Sequence, residues 1–185
     1  MTTRLFIDRA AEFIAVILSL AYTYMYLKGM VPSAFIPAFL GSGIFVVLCW
    51  TRKIYAESFL QLFYVGMAIY GYFQTDSEWR VEHWGFMENL PYLALGIFGV
   101  AGTGFALQRF TDAERPYLDA FTTVFSLIAT WLMVNFIHEN WLYWIIIDAV
   151  AIFLYYQRQL YFGAALFVIY LVMAIDGYWE QITIF

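Results

Sequence analysis

The sequence predicts an all-α membrane protein of seven transmembrane helices, arranged as two parallel three-helix repeats joined by a linker helix (3+1+3). Three observations predict it. The 185 residues are 64% hydrophobic and only 12% charged, against about 25% charged in a soluble domain. Apolar runs close to the roughly 20 residues that cross about 30 Å of hydrocarbon recur along the whole chain. The later part of the chain also repeats the earlier part.

Taken in order, the runs cover residues 10–27, 33–50, 58–73, 90–107, 118–136, 141–156 and 160–178. Residues 1–8 carry one Arg and no cleavage box before the first run, so no secretory signal is expected there. Arg52-Lys53 and Gln157-Arg158-Gln159 interrupt the apolar pattern and separate neighbouring spans. The one long polar stretch is 75–89, where Trp79, Trp84 and Phe86 alternate with Glu78, Arg80, Glu82 and His83. It is expected to lie on the membrane interface as a short amphipathic segment. The fourth run is lined by Gly96, Gly99, Gly102 and Gly104, which permit close helix packing.

A shift of 106 residues pairs Arg52 with Arg158, Leu60 with Leu166, Tyr64 with Tyr170, Met67-Ala68-Ile69 with Met173-Ala174-Ile175, and Gly71-Tyr72 with Gly177-Tyr178. A shift of 107 pairs Glu12 with Asp119, Ser19 with Ser126, and Thr23 with Thr130. Three helices leave the chain on the far side of the bilayer, so the fourth must return it before the second module begins. The expected division is a first bundle over 1–74, an interfacial segment and linker helix over 75–109, and a second bundle over 110–185.

Asn140, Trp144 and Asp148 stand four residues apart and share one helical stripe. A carboxylate at mid-bilayer costs about 2.5–3.5 kcal/mol, so Asp148 is expected to face a cavity or a partner. Their repeat mates are Ala34, Ala38 and Ser42, so the fold position itself requires no amide, indole or acid. The stripe suits a flat, polar, cationic ligand. Trp141 has Phe35 as its mate and reads either as an aromatic anchor or as a ligand contact. Gln61, mated to Phe167, and Tyr64, mated to Tyr170, share a face of the third span and join the candidates, Tyr64 being equally suited to a structural duty.

The hydroxyl stripes Ser19–Thr23 and Ser126–Thr130 either line a pathway or let helices approach and bond across, and Glu12 and Asp119 either cap helices or pair with Arg9 and Arg115. No catalytic residue, metal ligand or cofactor is assigned. The single cysteine, Cys49, offers no thiol pair, and His83 and His138 form neither an HExxH spacing nor a triad and read as loop histidines. Nucleic acid is not an expected partner.

The run from Glu139 to Asp148, together with Leu60-Gln61-Leu62-Phe63, Ile69-Tyr70-Gly71, Asp119-Ala120 with Ser126, Glu12 and Gly41, resembles the PnuC family of vitamin transporters. That resemblance implies a SWEET-like fold, homotrimers in the bilayer, facilitated diffusion of nicotinamide riboside, or of thiamine or riboflavin in relatives, and trapping of the vitamin by a cytoplasmic kinase. It also implies a multi-pass protein of the inner (cell) membrane. The chain departs from the family pattern at Ala68, where an Asn is usual, at Asp148, where Asn also occurs, and in lacking basic clusters after the third and last spans. Arg4, Arg9, Arg52, Lys53, Arg109, Arg115 and Arg158 fall on one side against Lys28 and Arg80, which places the N-terminus in the cytoplasm by the positive-inside rule. The family's charge pattern suggests the reverse. A membrane-embedded enzyme and a non-transporting accessory subunit are the alternatives from other classes.

Overall fold

The computed structural model describes residues 2–52, 55–75 and 79–180, without the side chains of residues 2–7, 55, 56, 162 and 180. Lys53, residues 76–78 and residues 181–185, which carry part of the charge pattern, lie outside the described residues. Seven helices follow one another: α1 (Thr2–Leu27), α2 (Phe35–Thr51), α3 (Tyr55–Gln74), α4 (Phe86–Phe110), α5 (Pro116–Val134), α6 (Asn140–Gln157) and α7 (Tyr161–Glu180). Helix α1 begins eight residues before its apolar run, because hydropathy marks the membrane-crossing part of a helix and not its polar extension. Within the described residues α1 from Asp8, α4 and α5 are long and apolar enough to cross a bilayer on their own, and α2 and α7 contain shorter apolar runs. Phe13, Val47, Phe59, Phe98, Ile146 and Val172 stand exposed on their helices, a surface made for acyl chains rather than water.

Three helix ends close by the same backbone device. After α1 the Gly29 N–H donates to Tyr26 O at 2.9 Å and the Met30 N–H to Met25 O at 2.8 Å; after α5 Phe136 and Ile137 donate to Met133 and Leu132, both at 3.0 Å; after α6 Gln159 and Leu160 donate to Tyr156 and Tyr155 at 3.0 and 2.9 Å. These crossed bonds satisfy terminal carbonyls that lipid could not, and they require a left-handed residue at the turn. Gly29 meets that requirement freely at φ 66°, whereas Phe136 and Gln159 meet it at 58° and 59° with a side chain in place.

The chain divides into two compact units, residues 1–79 and 80–185. In the first, α1 packs on α2 and α2 on α3; in the second, α4 packs on α5, α5 on α6 and α6 on α7. Each unit builds the same two contacts from repeat mates. Phe35 lies so close over Gly71 that a Cβ there would come within 2.6 Å of its ring, and Trp141 lies over Gly177 with the same 2.6 Å approach. Arg52 Nη2 meets Glu12 Oε2 at 2.8 Å, and Arg158 Nη2 meets Asp119 Oδ2 at 2.8 Å. The acids therefore pair across the helical hairpin, not with Arg9 or Arg115, because an antiparallel return brings the end of α2 back beside α1 and the end of α6 beside the start of α5. Arg115 lies instead over the Phe153 ring, 5.3 Å from its centroid.

Three hydroxyls of the two stripes bond within their own helix rather than across to a neighbouring one. Ser19 Oγ donates to Ala15 O at 2.9 Å, Thr23 Oγ1 to Ser19 O at 3.2 Å and Thr130 Oγ1 to Ser126 O at 2.7 Å, each satisfied one turn back along its own helix.

Gly177→Ala is expected to lower stability by about 1–3 kcal/mol through overpacking against a buried indole, read as a fall in Tm in detergent. Gln159→Gly is expected to raise stability by about 1 kcal/mol, since an exposed side chain is removed from a left-handed backbone position.

Candidate functional site

The α5–α6 turn is held by a strap that the alternating sequence 79–86 forms. Glu82 pairs with Ile137 in a parallel bridge, its N–H donating to Phe136 O at 3.0 Å and its carbonyl accepting the His138 N–H at 2.8 Å. The backbone of the strap at Glu82 is extended, and its N–H and carbonyl bond the turn around Phe136. Glu139 ties down the next residues: its Oε2 accepts the Trp84 N–H at 2.8 Å. Asn89, at the start of α4, donates to Gly85 O at 2.9 Å and accepts the Tyr143 hydroxyl at 3.1 Å.

The strap also joins the two histidines that the sequence separates. The His83 and His138 rings stand 4.6 Å apart, Tyr178 lies 5.0 Å from His138, and His83 Nδ1 is 3.9 Å from Glu139 Oε1. His138 is buried rather than a solvated loop residue. Among the described residues no group of three His, Cys, Asp or Glu side chains could hold a metal ion.

Two contacts set the rotation of α6. Trp141, 1% exposed, meets α7 at Gly177, and Tyr143 meets Asn89 of α4 and the Phe125 ring of α5, 6.2 Å away. At about 100° per residue, Asn140, Trp144 and Ile147 fall between those two edges, with Asp148 toward the α7 side. The stripe therefore points into the unit. Asn140 and Asp148 are 1% and 3% exposed, and Trp144 packs its partly buried ring against the core of Phe125, Ile128, Ala129, Leu132 and Ile147. Asp148 lies about 12 Å further along the axis than Asn140, near the middle of the helix.

The polar atoms of this stripe are left open. Asn140 Nδ2 donates to Ile137 O at 2.6 Å, but its Oδ1 is buried with no hydrogen-bond partner, as is Trp144 Nε1. Leaving such groups unmet costs about 1–3 kcal/mol each, which a fold has no reason to bear unless something else completes them. Asp148 has neither a hydrogen bond nor an ion pair among the described residues. An acceptor, a donor and an acid thus stand one turn apart, facing inward. Gln61 and Tyr64 lie on α3 in the other unit, where Gln61 Nε2 donates to Glu57 Oε1 at 3.0 Å and Tyr64 sets its ring edge-on to Phe63 at 5.9 Å. Asn140, Trp141, Trp144 and Asp148 come together in the second unit.

The profile described as the nicotinamide mononucleotide transporter matches residues 9–181. The chain belongs to that family. This family member is 20% identical over 165 residues to the nicotinamide riboside transporter PnuC of Escherichia coli (strain K12), covering 72% of this chain and 69% of that protein, and it matches the PnuC of Shigella flexneri to the same extent. It is similar in fold to the crystal structure of the vitamin B3 transporter PnuC, with a TM-score of 0.73 and 21% identity over 92% of this chain and 80% of that one. With its outward-facing apolar side chains, the protein is a seven-helix, multi-pass membrane protein.

The repeat supplies substitutions that the fold already accommodates. Asn140→Ala and Trp144→Ala, which copy Ala34 and Ala38, are expected to leave the thermal melt within a few degrees of wild type while weakening ligand binding at least tenfold. Trp141→Phe, which copies Phe35 over Gly71, is expected to retain binding. Titration calorimetry beside the melts separates the two effects.

Proposed function

We propose that this protein carries nicotinamide riboside across the membrane by facilitated diffusion. The observation that supports this most is the inward stripe of α6, where a buried amide oxygen, a buried indole N–H and a buried carboxylate have no partners among the described residues. Nicotinamide riboside offers hydroxyl and carboxamide donors for Asn140, carboxamide and ribose acceptors for the Trp144 N–H, a flat ring, and a fixed pyridinium charge for Asp148. A desolvated cation against an indole contributes about 2 kcal/mol or more, enough for selectivity without slow release. Gln61, Tyr64 and Trp141 are proposed as further ligand contacts. The names of the relatives support the same substrate.

Thiamine is the second reading, because it too is a flat cation that Asp148 would accept. Riboflavin, which is uncharged, fits the acid less well. The working assembly is proposed to be a homotrimer with its N-terminus in the cytoplasm, and net uptake to be made one-way by a cytoplasmic kinase acting on the delivered vitamin.

Uptake of radiolabelled nicotinamide riboside into liposomes containing this protein alone tests the reading. Saturable uptake, competed by unlabelled nicotinamide riboside more strongly than by thiamine, is expected. Preferential competition by thiamine would reassign the substrate, and no uptake of either would favour an accessory subunit. Chemical turnover of the vitamin by the purified protein would instead mark an enzyme.

A further inference from the structure

The Asn140 amide can face either way, and one carbonyl decides between the two. Ile137 O accepts both the Asn140 N–H at 3.1 Å and Asn140 Nδ2 at 2.6 Å. Turning the amide over would set Oδ1 against that carbonyl, acceptor to acceptor, so the nitrogen stays with Ile137 and the oxygen is the atom left open. Ile137 is itself held from outside the helix. It is the residue bridged by Glu82, whose N–H and carbonyl bond Phe136 O and the His138 N–H on either side of it, at 3.0 and 2.8 Å. Those are backbone bonds, which specify no side chain. The side chain that fastens the strap to the turn is that of Glu139: its Oε2 accepts the Trp84 N–H at 2.8 Å, two residues past the bridge, and its Oε1 lies 3.9 Å from His83 Nδ1. A bond from a mostly buried carboxylate to a backbone N–H is among the stronger ones a chain can make. Glu139 therefore binds the strap on one side of the helix start while its neighbour Asn140 faces inward.

We propose that Glu139 is a positioning residue for substrate recognition: by fastening the strap across the turn it fixes the Ile137 carbonyl, and through it the Asn140 amide, so that the site presents an acceptor to the carboxamide N–H₂ of the ligand. The proposal rests on the nicotinamide riboside reading above and deepens it. The positive charge of that nucleoside belongs to the ring nitrogen that also bears the ribose. A ring lying along Trp144 with this nitrogen toward Asp148 carries the ribose at the acid's end of the stripe. The carboxamide, meta to the nitrogen, then points to the other end, where Asn140 stands one helical turn from Trp144. Its N–H₂ donates to an oxygen that can only accept. A ketone of the same shape has no hydrogen to offer there and leaves the amide oxygen unmet. Selection of an amide over its isostere is thus set by a carboxylate that bonds the strap and not the ligand.

Calorimetry of the full-length protein in detergent compares nicotinamide riboside with 3-acetylpyridine riboside, which keeps the pyridinium charge, the ribose and the carbonyl and replaces N–H₂ by a methyl group of similar size. Wild type is expected to bind nicotinamide riboside at least about tenfold more tightly, the worth of one hydrogen bond in a dry site. In Glu139→Ala the ratio is expected to fall to about threefold or less through lost affinity for nicotinamide riboside alone, whereas a merely structural fault weakens both ligands together. Glu139→Gln, whose amide oxygen still accepts the Trp84 N–H, is expected to keep the wild-type ratio. Asn140→Ala is expected to lose the ratio as well, and adding Glu139→Ala to it to lose no more, because both act through one bond. A wild-type ratio near one overturns the proposal while leaving nicotinamide riboside as the substrate. A full ratio in Glu139→Ala overturns the positioning role, and a Glu139→Gln protein that behaves as the alanine variant overturns the hydrogen bond as its means. Absence of binding of either nucleoside to wild type overturns the substrate reading and the proposal together. Should Glu139→Ala fail to fold, Glu139→Asp carries the test: with its acceptor drawn back from the Trp84 N–H by one methylene it is expected to lower the ratio, and an unchanged ratio overturns the proposal.

Discussion

The contact on which the second unit depends is the Trp141 indole packed against the backbone of Gly177. A ring this large, fully buried on one edge of α6, admits almost no rotation of the helix about its axis, and Tyr143 bonded to Asn89 closes the opposite edge. With both edges pinned, the residues between them have one direction in which to point. A turn of α6 by a single residue step would carry Asn140 toward α7 and bring Tyr143 into the interior. The chemistry of the stripe is therefore set by packing at residues that need not touch a ligand.

The same contact exists in the first unit as Phe35 on Gly71, and the hairpin ion pairs Glu12–Arg52 and Asp119–Arg158 recur with it. What recurs is scaffold; what differs is the polar stripe of α6. Ala34, Ala38 and Ser42 in the first unit show that the architecture stands without an amide, an indole or an acid at these positions. The open polar atoms of Asn140 and Trp144 are thus a cost that the packing of this unit bears.

The seven helices were legible because lipid imposes a hydropathy rule with few exceptions, and the asymmetric residues of α6 stood out because the chain carries its own control copy. Other features were not legible for identifiable reasons. Arg9 and Arg115 are neighbours in sequence of the acids, but a helical hairpin brings Arg52 and Arg158 closer. The mixed aromatic and charged run at 79–86 fits an amphipathic helix and an extended strand equally well by composition, and the bridge from Glu82 to Ile137, a contact distant in sequence, decides between them. His83 and His138 meet only because that strap crosses the turn. That Asn140 uses its N–H₂ locally and leaves its oxygen open depends on the path of the backbone at Ile137, which no residue pattern encodes.

The left-handed turn after α5 has one further consequence. Its counterpart in the first unit turns on Gly29, which needs no assistance, while Phe136 adopts the same backbone shape with its carbonyl bonded to Glu82. The segment ahead of α4 is thus a structural member of the second unit. Any attempt to express that half as an autonomous fragment, or to recombine halves between homologues, should cut upstream of the strap rather than at the first residue of α5, or the crossover will inherit a turn severed from its brace.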